Sequence, residues 1–289
     1  MLAASRLPRK EGTECIFMQL SIAAWSARLV LIQLSDVADL IVRWQQARML
    51  VGRKQISRRT FLAATGGALA ASHMAWSSDS VPASLDHIIL GCNDLKHGIS
   101  FVEQLTGTSA KFAGVHPGRG TRNALLALGG RRYLEILAPD PEQKTESSYG
   151  ELKTMSKPTL LGWAVHPDSM DALAQHLRDV GIAFSGPTAG SRQRPDGKLL
   201  RWRTVGLNDD RHGLLPFFIE WNDGSVHPSI DAPAGCHLTD FKAGAPNQEE
   251  LKKMFTLLNL DITVERNAKP QLIARIQGPK GECEFRSGN

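Results

Sequence analysis

Between Leu85 and Leu137 the apolar positions fall into short blocks, each with its own period. LDHIILGC is a continuous apolar run, read as a buried strand over Leu85–Cys92 that carries one histidine, His87. Asp94 stands where a helix cap belongs. Leu95, Ile99, Val102 and Leu105 then recur at helical spacing, with Gly107 past the end. Ala124–Leu128 and Tyr133–Leu137 read as strands joined across Gly129-Gly130. The last of them holds one carboxylate, Glu135, among apolar neighbours.

The pattern returns. PTLLGWAVHPD is a second apolar strand with a polar exit, and Asp168 takes the place of Asp94. Met170, Leu173, Leu177 and Val180 form a second helix face, with Gly181 beyond it. SRQRPDGKLLRWRTVG parallels HPGRGTRNALLALGG, and LLPFFIEW parallels RRYLEIL, which puts Glu220 on Glu135. A unit of about 60 to 75 residues is too long for a solenoid repeat and suits a half-barrel module. A looser third copy follows. CHLTDFKAGAPN opens it, Asn247 and Glu250 make a capping-box pattern, and Leu251, Met254, Phe255 and Leu258 give a helix face. Thr263–Val264, Leu272–Ile276 and Cys283–Phe285 can supply strands, with Glu284 placed like Glu135 and Glu220.

These modules, with DHIILGCNDL, HPGRGTRNALL, the later RPDG and LRWR, and PFFIEW, resemble the glyoxalase-like branch of the vicinal oxygen chelate superfamily. The resemblance implies an α+β fold of paired βαβββ modules, the glyoxalase/bleomycin-resistance/dioxygenase type of barrel, with a third partial module. The glyoxalase-like domain would span 84–230, with modules at 84–140 and 158–222, and the third module 236–289. In the superfamily two modules form a cup around a divalent metal, with ligands from the first and last strands of each. The modules can pair within one chain or swap between two, so a homodimer is among the arrangements allowed.

Ahead of these modules the chain changes character. Ile16 to Trp44 is apolar enough to suggest a membrane span, but Arg28, Asp36 and Asp39 interrupt it and are costly at a bilayer centre. Ser57-Arg58-Arg59-Thr60-Phe61-Leu62 resembles the twin-arginine export motif, and a weak apolar stretch with small-residue exits follows. Such signals begin close to an N-terminus, so residues 1–48 are expected to be an upstream extension and 49–76 the signal, with translation starting at Met49. The mature chain would then begin between Ala71 and Ser77. It would have met the twin-arginine translocase, carry no stable membrane span and reside in the periplasm or outside the cell.

With 42% hydrophobic and 22% charged residues, the chain can build an ordinary globular core. The +5 charge owes much to N-terminal arginines. No basic run is interleaved with aromatics, so nucleic acid is not an expected partner. Cys92, Cys236 and Cys283 show no CxxC spacing; one disulfide could form, with one thiol left over. There is no P-loop, HExxH, GxSxG or strand-linked GxGxxG.

The chemistry must come from the cup. A carboxylate on an apolar strand is costly to bury unless paired or metal-bound, and here two occur at matching positions. His87, Glu135 and Glu220 are the candidate metal ligands, and imidazole with two carboxylates suits Fe, Mn, Zn or Ni. Glu135 or Glu220 would double as catalytic base. Each glutamate could equally pair with an arginine from Arg119, Arg122, Arg131, Arg132, Arg201 and Arg203. Leu161 falls where the second module should repeat His87, and leucine cannot bind metal. His116, Arg119, Arg122 and Asn123 in the first hairpin, and Arg201 in the second, are candidate substrate contacts, because guanidinium forks suit a carboxylate or phosphate. Trp163, Trp202 and Trp221 can line a pocket, but core packing suits each better. Two functions stay open: an exported metal-dependent lyase, isomerase or dioxygenase acting on a small oxygen-rich or anionic substrate, and a metal-free protein that binds or sequesters a small molecule.

Overall fold

The computed structural model describes residues 81–145, 147 and 149–288. The expected upstream extension, twin-arginine signal and cleavage region lie outside the described residues. Cys92, Cys236 and Cys283 are all free thiols. Among the described residues no helix is long and apolar enough to cross a membrane.

The first module runs β1 (Leu85–Gly91), α1 (Leu95–Thr106), β2 (Lys111–His116), β3 (Thr121–Ala127) and β4 (Tyr133–Pro139). The second runs β5 (Thr159–Val165), α2 (Met170–Asp179), β6 (Phe184–Gln193), β7 (Leu199–Leu207) and β8 (Phe217–Trp221). All eight strands form one sheet in the order β2-β3-β4-β1-β5-β8-β7-β6. In each module the first and last strands pair in parallel, and β1 joins β5 antiparallel within the chain. The sheet curls as a half-barrel until its two edges, β2 and β6, touch. There Nη1 of Arg192 on β6 donates to the carbonyl of Ala113 on β2. A bulge in β2 between Phe112 and Gly114 leaves Ala113 out of the ladder, so that carbonyl is free to accept.

Local rules explain the helix ends. Asp94 caps α1 by accepting from His97 N at 2.9 Å, and Gly107 closes it in the left-handed region (φ 84°). At α2 the cap is Ser169, which accepts from Ala172 N, and not Asp168 one residue earlier.

The third segment has β9 (His237–Ala245), α3 (Pro228–Asp231) just before it, α4 (Gln248–Leu257), β10 (Thr263–Arg266), β11 (Gln271–Gly278) and β12 (Gly281–Arg286). Its strands order as β10-β9-β11-β12. It shares the element order of the modules but not their pairing, because β9 bonds β10 and β11 rather than the final strand. Glu284 on β12 is bridged by Arg275 and Arg286, away from the cup. This sheet packs on the helix-bearing outer face. Trp163 of β5 is fully buried against Phe241 and Phe255, and Phe101 of α1 meets Phe285. Each fully buried side chain of this size stabilises the fold by roughly 1.5–3 kcal/mol.

Candidate active site

The inner face of the half-barrel encloses a cavity of about 110 Å³. Strand alternation decides which side chains reach it. From β4 these are Tyr133, Glu135 and Leu137; from β3, Thr121, Asn123 and Leu125; from β8, Phe217, Ile219 and Trp221. The short helical turn Gly150–Thr154 between the modules closes one end, where Leu152 packs on Ile89 and Leu137 with Leu161 alongside. Leu161 thus takes part in an apolar plug.

Glu135 is the focus of the polar side. Asn123 lies opposite Leu137 and His87 opposite Tyr133, so both are diagonal neighbours of Glu135 across the ladder. Asn123 Nδ2 donates to Glu135 Oε1 at 2.6 Å. His87 Nε2 lies 3.7 Å from Oε2, and His116 Nε2 lies 3.7 Å from Oε1. His116 also places Nδ1 at 2.9 Å from Thr121 Oγ1 and Nε2 at 3.3 Å from Asn123 Nδ2. Burial pushes His116 below the usual histidine range; Glu135 opposes this, while Arg192 and Arg119 add to it. The ring is therefore neutral at neutral pH, and the amide contact makes its Nε2 an acceptor.

Behind His87 stands a buried carboxylate. Asp86 Oδ1 is 2.7 Å from His87 Nδ1; Oδ2 is 3.0 Å from His227 Nε2 and accepts from Trp221 Nε1 at 3.1 Å. Burial alone would raise the Asp86 carboxyl, but hydrogen bonds from His227 and His87 outweigh it and hold the group well below the carboxylate range. An ionised Asp86 accepts from His87 Nδ1 and so aims Nε2 at Glu135. Tyr133 stacks on the ring at 4.5 Å and 17°, which fixes its plane.

The structure therefore brings together His87, His116, Asn123 and Glu135, with Arg119 on the same wall. It does not bring Glu220, which corrects its reading as metal ligand and base. On β8 the inward residues are Phe217, Ile219 and Trp221, so Glu220 points to the outer face. There Arg203 Nη2 donates to it at 2.6 Å and Met170 N, opening α2, donates at 3.0 Å. Arg122, between the inward Thr121 and Asn123, lies 3.9 Å from Asp94 outside the cup. Arg201 is exposed on β7 and lines no part of it.

Trp163 is a core residue as the pattern suggests, but Trp202 and Trp221 line the cup, 5.5 Å apart. Arg192, one of the arginines of the second hairpin, also lines the cup. Asp86 and His227 complete the site unannounced: the histidine before α3 could have signalled the second, while Asp86 had no signal beyond being charged beside a strand histidine.

The first module supplies an imidazole pair and a carboxylate, the donor types that take Fe, Mn, Zn or Ni. As placed they do not close around an ion: each imidazole faces a different oxygen of Glu135. Among the described residues no three His, Cys, Asp or Glu side chains are gathered as a metal cluster.

No curated protein matches the chain. Among solved structures, a hypothetical protein from Staphylococcus aureus is 17% identical with a TM-score of 0.52, covering 70% of this chain and 84% of its own. A methylmalonyl-CoA epimerase from Mycobacterium tuberculosis is 21% identical with a TM-score of 0.36, covering 52% of this chain and 93% of its own. The first shares the fold. The family profile described as glyoxalase-like domain matches residues 85–258. That span takes in both modules and runs through α4, more than half of the sequence, and the chain belongs to the glyoxalase-like domain family.

Proposed function

We propose that the cup is an enzyme site for a small oxygen-rich anion, in which Glu135 takes a proton from a carbon beside a carbonyl group. One observation carries this reading: two imidazoles and an amide converge on a single buried carboxylate. The cavity is well below the 300–1,000 Å³ of drug-sized sites, so the substrate is small. Asn123 holds Oε1 and leaves Oε2 to receive the proton. His87 Nε2, on the far side of Oε2, can take that proton in turn, and Asp86 stabilises the imidazolium that forms. Trp202, Trp221 and Phe217 give the cup an apolar wall opposite these groups. Arg119 supplies positive charge at the rim.

The test is hydrogen exchange in D2O, at C3 of small 2-oxo acids and at C2 of small 2-hydroxy acids, followed by proton NMR. Wild type should catalyse exchange, and Glu135→Gln should slow it by roughly 100-fold or more. Binding seen by tryptophan fluorescence without exchange would replace this reading with a binding or sequestering protein.

A divalent ion is the second reading, favoured by the donor types of His87, His116 and Glu135. It predicts stoichiometric metal in the purified protein, lost in His87→Ala. The export reading rests on Ser57–Leu62 and the small-residue exits at Ala68–Ser72. It predicts a mature N-terminus between Ala71 and Ser77, and a secreted product that retains residues 1–48 would refute it.

A further inference from the structure

Arg192 has the surroundings of a receptor. Its side chain sits at the seam where β2 and β6 meet and is only 5% exposed. It forms part of the wall of the cup and of a second pocket outside the seam, lined by Lys111, Phe112 and Arg194. Nη1 donates to Ala113 O. Among the described residues no carboxylate pairs with it, whereas the neighbouring Arg194 is bridged to both Asp196 and Asp231. Glu135 acts on it only at longer range, and burial lowers its proton affinity. A guanidinium carries five N–H donors in a flat fork that matches an oxyanion. Its remaining N–H groups border the two pockets, where an oxyanion can complete their shell.

The backbone makes room for this arrangement. Gly114 holds φ 144°, and a Cβ there would come within 2.9 Å of Arg192 Nη1 and 2.8 Å of Gln193 O. A glycine at the seam therefore cradles the guanidinium.

We propose that Arg192 is the anion receptor of the cup, so that the ligand enters with a carboxylate or phosphate head on Arg192 and its reactive carbon toward Glu135. This rests on the enzymatic reading only for the second half of that placement. A latch that merely closes the seam would need no anion, and the two roles separate by experiment.

The probes are acetate, inorganic phosphate and neutral acetamide, followed by tryptophan fluorescence and by the thermal midpoint. Wild type should bind acetate or phosphate and ignore acetamide, and the tighter of the two anions identifies the head group. Arg192→Met should weaken anion binding at least tenfold while its ligand-free midpoint stays at or above that of wild type. Unchanged anion affinity in a folded Arg192→Met overturns the proposal. Should that variant fail to fold, Arg192→Gln replaces it, with the same tenfold loss expected and unchanged affinity again fatal. Glu135→Gln should bind acetate at least as well as wild type, since it removes a nearby negative charge. Arg192-dependent anion binding with no such hydrogen exchange in wild type would sink the catalytic reading and leave the receptor standing.

Discussion

Asp86 and His87 are consecutive residues of one strand, yet Asp86 Oδ1 lies 2.7 Å from His87 Nδ1. Alternation should send them to opposite faces. A bulge explains the contact: Leu85 pairs with Val165 and His87 with Ala164, so Asp86 is skipped in the ladder. The same bulge separates Leu85, which packs in the outer core with Ile88 and Leu90, from His87, which faces the cup with Ile89. Regular alternation would have put Leu85 and His87 on one face.

Asp86→Asn should cost about 3–5 kcal/mol at neutral pH, the range for breaking a buried charged network. The folded-state affinity of Asp86 for protons is depressed, so its contribution is complete above the ordinary carboxyl value of 3.8 and is lost as pH falls below it. Urea melts at pH 7, 5 and 3 check this. The gap between wild type and variant should hold from pH 7 to 5 and shrink at pH 3; an equal gap at all three would mean that Asp86 is not ionised in the fold.

Glu220→Ala should leave substrate turnover within about twofold while removing an acceptor from the first turn of α2, a loss of about 1 kcal/mol. The thermal midpoint should drop by roughly 2–4 °C. A collapse of turnover at unchanged midpoint would return Glu220 to the site.

Gly114→Ala should cost about 1–3 kcal/mol, since its backbone lies where L-residues are strained and the new methyl meets the carbonyl of Gln193. The damage should be local to the seam. Hydrogen exchange would show faster opening of β2 and β6, with β1 and β5 protected as before.

Truncation after Gly235 should yield an aggregating protein. It would uncover Trp163, now fully buried against Phe241 and Phe255. Soluble yield and dye binding to exposed apolar surface measure the outcome.

Much of this was legible in the residues. The strand expected over Leu85–Cys92 runs Leu85–Gly91, and the cap at Asp94, the stop at Gly107 and the cap at Asn247 are found where local rules put them. His87, His116, Asn123 and Glu135 stood out as polar groups on or beside apolar strands. Glu220 misled because the repeat was copied across unequal loops. Residues 128–132 join β3 to β4, whereas 208–216 join β7 to β8, and across links of unequal length the two last strands were matched one residue out of phase: Ile219, not Glu220, shares the inward phase of Glu135. The pairing order of the third sheet was hidden for a different reason: strand neighbours far apart in sequence are chosen by packing, which no local period records.

The two halves of the cup are unequal in chemistry. Every imidazole and carboxylate on its inner wall comes from the first module, while β7 and β8 offer Trp202, Thr204, Phe217, Ile219 and Trp221. Divergence within such a protein has an easy direction. Changes at Trp202, Thr204, Phe217 and Ile219 would reshape what fits while the proton-handling groups stay in place, so new specificities can arise without rebuilding the reactive apparatus; Trp221 is the exception, because it holds Asp86.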